Sequence, residues 1–306
     1  MVAPSGEQIE ISSGDQRAVV VEVGGGLRGY AAGGRELLDG YGADEMCKSA
    51  RGQVLIPWPN RIEGGSYEFE GQSHQLSIDK PEEQTAVHGL VRWAAWEVAE
   101  RRTDSVVMQH LLHPRPGYPF ALALSIEYVL SSRGLTVTTS ATNVGGDVCP
   151  YACGAHPYLT LGTARVDSLV LKTPARTVLT SDERGLPIGT LDVENTEYDF
   201  RRPRPLGATQ LDTCFTDLER DDDGLARVEL HDPDGDTALA LWCDGRYGYL
   251  MLYTGDTRPD VARRSLAIEP MSAPPNAFRS GEGLIRLEPG ASYSSSWGID
   301  PRASPP

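Results

Sequence analysis

Along most of the chain apolar and polar residues alternate with a period of two, the spacing of half-buried strands. No long segment repeats its apolar positions every 3.6 residues. In "RAVVVEVGGGLRGYAAGG" two apolar runs flank three glycines that can turn the chain, which predicts a hairpin. "SYEFEGQSHQLSI" puts Tyr67 and Phe69 on one face, turns near Gly71 and resumes with Leu76 and Ile78. In "ALALSIEYVLSSRGLTVTTSATN" the set Leu124, Ile126, Tyr128 and Leu130 precedes a Ser-Ser-Arg-Gly turn, and Leu135, Val137 and Thr139 follow it. "DSLVLKT", "LARVELHD", "TALALWCD" and "YGYLMLYT" continue the series, parted by "DPDGD" and "DGRYG", whose Asp-Gly pairs suit tight hairpin turns. The pattern predicts an all-β chain of many antiparallel strands, a large β-sandwich or barrel without internal repeats. One domain over residues 1–306 is expected, with frayed ends at "MVAPSGEQ" and "PRASPP"; "DFRRPRPLGATQ" reads as a long irregular connection.

Composition sharpens this picture in three respects. Glycine (33) and proline (22) exceed the ordinary usage of roughly 7% and 5%, as many turns require. The net charge of −15 argues against a nucleic-acid partner, whose phosphates call for clustered Lys and Arg, and is indifferent to a neutral small molecule. No run of about 18 apolar residues predicts a membrane span, and "MVAPSGEQIEISSGDQ" has neither a basic nor an apolar leader region. The five cysteines, Cys47, Cys149, Cys153, Cys214 and Cys243, are odd in number and scattered, and there is no Asn-x-Ser/Thr sequon. A reducing, cytoplasmic setting is the expectation.

Several familiar sites are excluded: there is no Gly-x-Gly-x-x-Gly leading from a strand into a helix, no Walker-type Gly-Lys-Ser/Thr, no Gly-x-Ser-x-Gly and no His-Glu-x-x-His. His156 lies in "YACGAHPYLTLG" beside Cys149 and Cys153, but no second Cys/His pair completes a zinc site. Pro157 biases His156 towards extended backbone, so it sits in a strand or at a strand end, as a core histidine, a ligand or a catalyst. "VLIPWPNRIEGG" stiffens the chain around Trp58 and then presents Asn60 and Arg61 as a fork of donors. "TAVHGLVRWAAWEV" supplies His88, Arg92, Trp93 and Trp96, and "LDTCFTDL" supplies Asp212. In "SLAIEPMSAPPNAF" Glu269 ends an apolar run, where a carboxylate is costly unless paired or used. Together these residues make a carbohydrate site: aromatic faces for C–H faces, charged groups for hydroxyls.

The blocks "PWPNRIEGGSYEFEGQSHQL", "HGLVRWAAWEV", "GAHPYL", "LDTCFTDL" and "IEPMSAPPNAF", in that order between about residues 54 and 278, resemble the aldose 1-epimerase family, the galactose mutarotases. The resemblance implies a large antiparallel β-sandwich, the supersandwich, that interconverts the α and β anomers of a free aldose such as glucose or galactose. It implies no metal and no organic cofactor. It matches His156 to the general acid, Glu269 to the general base, and Arg61, His88 and Asp212 to sugar-binding positions. Asn60 and Trp93 join them as binding residues. Leu90 and Val91 depart from the polar residues often found after the family's His-Gly, and Asp217 competes with Asp212. Ala152, Gly154 and Ala155 are expected to clear space for the sugar ring, with Pro157 aiming the imidazole. A monomer or weak homodimer is expected. The alternatives on the same fold are a non-catalytic sugar-binding protein and an epimerase of a phosphorylated sugar, for which Arg201, Arg202 and Arg204 are the candidate phosphate clamp.

Overall fold

The structure, a computed structural model, describes residues 2–234, 237–258 and 261–301. It is built almost wholly of antiparallel strands, as the alternation predicts. Nine form one sheet in the order Glu97–Arg101, Ser105–Leu112, Leu122–Ser131, Gly134–Asn143, Ser292–Asp300, Thr237–Cys243, Ala226–Asp232, Val170–Lys172 and Arg204–Pro205. A second sheet runs Pro187–Asp192, Ala175–Ser181, Asp212–Leu218, Tyr249–Tyr253, Leu266–Met271, Gly154–Ala155 and Val54–Leu55, with Tyr158–Leu159 also paired to Leu266–Met271. Gln8–Ser13, Gln16–Val21, Leu27–Ala32 and Arg35–Glu36 make a smaller four-stranded sheet. The one α-helix among the described residues is Ala277–Ser280, so none there is long and apolar enough to cross a membrane.

The second sheet owes its two-sided character to side-chain alternation. Phe215, Leu250, Leu252 and Ile268 point into the main apolar core, which also takes Leu124, Ile126 and Leu135 of the nine-stranded sheet. The intervening residues Cys214, Met251 and Glu269 fall opposite one another across three strands, Cys214 against Met251 and Met251 against Glu269. Leu266–Met271 is buried along its whole length. A carboxylate therefore stands in an apolar row on the side of the sheet away from the main core.

The predicted hairpins form at Gln16–Val21 with Leu27–Ala32, at Ser66–Phe69 with Gln72–Gln75, and at Leu122–Ser131 with Gly134–Asn143. Leu76 and Ile78 follow the second hairpin rather than belong to it. "DPDGD" lies in the connection between Ala226–Asp232 and Thr237–Cys243, which pair antiparallel; its Gly235 and Asp236 lie outside the described residues. "DGRYG" differs from the expectation: Thr237–Cys243 pairs with Ser292–Asp300, Tyr249–Tyr253 with Asp212–Leu218, and the segment crosses between sheets. A local turn signal carries no information on which sheet the next strand joins. The N-terminal segment is tied down, since the Val23 amide donates to the Ser5 carbonyl and Ser5 is buried. Met1 and residues 302–306, most of "PRASPP", lie outside the described residues.

Two further expectations change. Ala152 packs with Ala273 and Ala277, and a Cβ on Gly154 would stand 3.0 Å from the Pro270 oxygen and 3.0 Å from the Pro59 Cβ. These small residues thus permit close approach of neighbouring segments, not room for a ring. Arg201 pairs with Asp199 at 2.8 Å, and Arg204 lies over the Phe200 ring while donating to the Asp199 carbonyl. Neither they nor Arg202 lines the cleft described below, so no phosphate clamp forms from this cluster.

Candidate active site

His156, Glu269, Arg61, His88, Asp212, Asn60 and Trp93 all line one open cleft of about 600 Å³ on the cleft side of the eight-stranded sheet. The chain reaches this arrangement by pairing distant segments. The His156 amide donates to the Gln53 carbonyl and its own carbonyl accepts from the Gly52 amide, so the segment before "PWPNR" runs beside "GAHPY". Tyr158 pairs with Ala267, which brings "GAHPY" against "IEP". The Asn276 amide donates to the Arg61 carbonyl and its side-chain oxygen accepts from the Glu63 amide, locking "PPNAF" onto "PNRIE".

At the cleft floor His156 Nε2 lies 3.2 Å from Glu269 Oε1. Both residues are nearly enclosed, 5% and 2% exposed. His156 Nδ1 and Glu269 Oε2 are buried without a hydrogen-bond partner. Burial pushes the Glu269 carboxyl well above the usual carboxylate range, with the Asp212 charge adding to it and Arg61 opposing. Burial pushes the His156 imidazole down to about 3, helped by Arg92 and Arg51. Both effects follow from the cost of a charge in an apolar site. Both shifts disfavour charge on the pair in the substrate-free cleft.

Arg61 is buried, its guanidinium held from three directions. Nε donates to Glu83 Oε2 at 2.8 Å, Nη1 donates to Asn60 Oδ1 at 3.1 Å, and Nη2 stands 3.7 Å from Asp212 Oδ2. Asn60 Oδ1 also accepts from the Arg61 amide at 3.0 Å, so Asn60 lines the cleft but spends its oxygen on positioning Arg61. Asp217, the competing carboxylate, does not line the cleft.

His88 adopts a left-handed backbone, φ 61°, and exchanges bonds with Asn60. Its amide donates to the Asn60 carbonyl at 2.8 Å, while its Nδ1 accepts from the Asn60 amide at 3.2 Å. Acceptance at Nδ1 leaves the proton of the neutral ring on Nε2. Burial and the neighbouring His156 hold His88 well below the usual histidine range, so it is a neutral donor. The two imidazoles meet edge to face, with centroids 5.4 Å apart.

Trp93 is 50% exposed at the cleft, with Arg92 over its ring and Arg92 in turn paired to Asp79 at 2.9 Å. Trp58, by contrast, is a core residue packed edge-on against Phe278, so the stiff "PWPN" segment offers no aromatic face to a ligand. Sequence reasoning missed Glu83, Met251, Tyr158 and Arg51. Glu83 sits in a one-turn helix, Pro81–Glu83, among several other carboxylates, and nothing in "DKPEEQ" singles it out. The two-residue spacing of Tyr158 from His156 was a usable signal, since alternate residues of an extended segment share a face. All five cysteines are buried free thiols, and Cys153 Sγ lies 3.4 Å from the Ser295 hydroxyl.

With fold and cleft defined, comparison with known proteins is informative. The family model described as aldose 1-epimerase matches residues 7–299. The Escherichia coli K12 protein YihR is 35% identical over 287 residues, 94% of this chain and 90% of that one. Among solved structures, a putative aldose 1-epimerase from Escherichia coli K12 aligns with a TM-score of 0.82 at 22% identity, covering 96% of this chain and 98% of that one. A galactose 1-epimerase from Lactobacillus acidophilus aligns with a TM-score of 0.81 at 19% identity, covering 95% and 93%. These two likenesses share the fold, and the family match spans nearly the whole sequence that builds the cleft. This chain belongs to the aldose 1-epimerase family.

Proposed function

We propose that the protein is an aldose 1-epimerase acting on a free aldohexose such as glucose or galactose, with His156 and Glu269 as the acid–base pair. The observation that carries the reading is the 3.2 Å contact of these two side chains at the floor of an open cleft. Opening a pyranose requires one proton removed from the C1 hydroxyl and one delivered to the ring oxygen. Rotation about C1–C2 and the reverse transfers then close the other anomer. A pair that holds one proton between two groups supplies both halves of this exchange. Sugar hydroxyls entering the cleft hydrogen-bond to the charged forms and so favour carboxylate and imidazolium over the neutral pair. In that state Glu269 takes the hydroxyl proton and His156 protonates the ring oxygen. Arg61 and the Nε2–H of His88 donate to sugar oxygens, Asp212 accepts from hydroxyls, and Trp93 offers an apolar face at the cleft. Both proton-transfer groups come from the chain itself, so the reading calls on no cofactor.

Polarimetry of freshly dissolved α-glucose and α-galactose tests the reading. Rotation is expected to reach equilibrium faster in proportion to added protein. A trace no faster than buffer, together with saturable sugar binding by calorimetry, would make the protein a binding module instead.

The role of Arg61 has its own test. An alanine Cβ at Gly185 would stand 2.9 Å from Arg61 Cζ and 3.1 Å from Nε, and Gly185 holds a left-handed φ of 75°. Gly185→Ala must displace a guanidinium already fixed by Glu83 and Asn60. If Arg61 binds sugar, KM is expected to rise about tenfold, which is about 1.4 kcal/mol, with kcat changed less. Initial rates over a range of sugar concentrations decide it; an unchanged KM removes Arg61 from the binding set.

A further inference from the structure

Tyr158 and Arg51 form a built extension of the catalytic pair. The Tyr158 ring stacks on the His156 imidazole, with centroids 4.9 Å apart and planes within 10°. The Arg51 guanidinium lies 4.8 Å from the centre of the same tyrosine ring. Arg51 is itself only 5% exposed. Its Nη2 donates to Asp39 Oδ2 at 3.3 Å, an oxygen that also accepts from Ser265 Oγ at 2.8 Å and Arg264 Nε at 2.9 Å. The Asp39 amide donates to the Tyr158 carbonyl, so the anchor is tied by main chain to the ring it supports. The phenol hydroxyl donates to the Ser49 carbonyl at 3.1 Å. Ser49 and Ala50 are successive non-glycine residues with left-handed backbones, φ 54° and 56°. Such backbones persist where the surroundings over-determine them.

We infer that Tyr158 and Arg51 are positioning residues for the proposed reaction, the stacked phenol ring fixing the plane of the His156 imidazole and the buried Arg51 guanidinium holding that ring. The inference rests on the aldose 1-epimerase reading for its kinetic arm only. Several groups act on His156. Glu269 is in contact, His88 meets it edge to face, and Tyr158 is stacked on it; Arg51 and Arg92 add positive charge. Both arginines favour the neutral ring, because an imidazolium would add a third positive charge beside them. A tyrosine ring backed by a cation holds the imidazole by area and dispersion while adding no proton that could compete with the Glu269 exchange. A leucine in its place cannot hold a planar partner in one orientation.

Three variants and two readouts separate positioning from mere packing. Tyr158→Phe keeps the stack and is expected to retain kcat within about twofold. Tyr158→Leu removes it and is expected to lower kcat about tenfold or more with KM nearly unchanged. Arg51→Gln leaves Asp39 with Arg264 and Ser265 and the tyrosine ring in place. Removing the cation favours protonated His156, so the acidic limb of the kcat profile is expected to move to higher pH, and Arg51→Lys to restore it. The second readout is the ¹⁵N chemical shift of His156 across a pH titration of the sugar-free protein. It is expected to show the same upward movement in Arg51→Gln even if glucose and galactose prove not to be substrates. Equal kcat for Tyr158→Leu and Tyr158→Phe, or an Arg51→Gln titration matching the wild type, overturns the proposal. Should Tyr158→Leu fail to fold, the Arg51 titration decides alone.

Discussion

Replacing Glu269 by glutamine is expected to slow mutarotation by about 10²–10⁴ while leaving sugar binding within about tenfold of the wild type. Glutamine has nearly the same shape and can still hydrogen-bond to His156, but it can neither hold nor release the shared proton. The same change is expected to stabilise the fold, increasingly so as pH rises. Glu269 is held well above the usual carboxylate range by burial among Met251, Met271 and Cys214, with Asp212 adding to the effect. The folded chain thus keeps the Glu269 proton at pH values where the unfolded chain, with an ordinary glutamate near 4.3, has released it. Proton release favours the unfolded state, so the wild type loses stability as pH rises above about 4.3, and the glutamine variant does not. Thermal melts at pH 5 and pH 8 compare the two. The variant's advantage is expected to widen at pH 8, and a constant gap would mean that Glu269 is ionised in the folded protein. Rate and stability should therefore move in opposite directions from one substitution, the pattern of a group strained for function.

What could be read in the sequence, and what could not, divides along a physical line. Period-two alternation is a local signal, and it located the long strands Leu122–Ser131 and Gly134–Asn143 because each has one core face. Leu266–Met271 is buried on both faces and has no alternation to show; its carboxylate was noticeable only as an oddity in an apolar run. Sheet membership is non-local, which is why "DGRYG" read as a hairpin and is a crossover. The cleft residues were legible by resemblance, block by block, and all seven line the same cleft. Their local states were not. No sequence pattern says that Asn60 supports Arg61, that Trp58 is core while Trp93 is half exposed, or that burial disfavours charge on both His156 and Glu269. Arg51 and Tyr158 lie far apart in sequence and meet because Gly52 and Gln53 pair with His156 through the main chain and the Tyr158 hydroxyl donates to the Ser49 carbonyl.

Replacing His156 by glutamine is expected to cost a similar factor, about 10²–10⁴, and the informative measurement is the double variant with Glu269→Gln. Independent groups would multiply their losses. Two groups sharing one proton across a 3.2 Å contact behave as a unit, because either loss leaves the other without a partner for the second transfer. The double variant is therefore expected to be slower than the worse single variant by less than about tenfold, as read by polarimetry. A loss near the product of the two single factors would mean that each residue acts alone, and the pair would cease to be the catalytic unit. The acid side of the stability curve supplies an independent check. Burial holds His156 neutral down to about pH 3, with Arg92 and Arg51 contributing, while in the unfolded chain it takes up a proton below about 6.5. Proton uptake by the unfolded state means that this residue removes stability as pH falls from about 6.5 towards 3. His156→Gln has no such proton to take up, so its melting temperature is expected to fall less than that of the wild type between pH 6.5 and pH 4.5. Equal falls would place the charged imidazole in the folded protein and with it the proton on His156 at rest, contrary to what its burial and the two nearby arginines dictate.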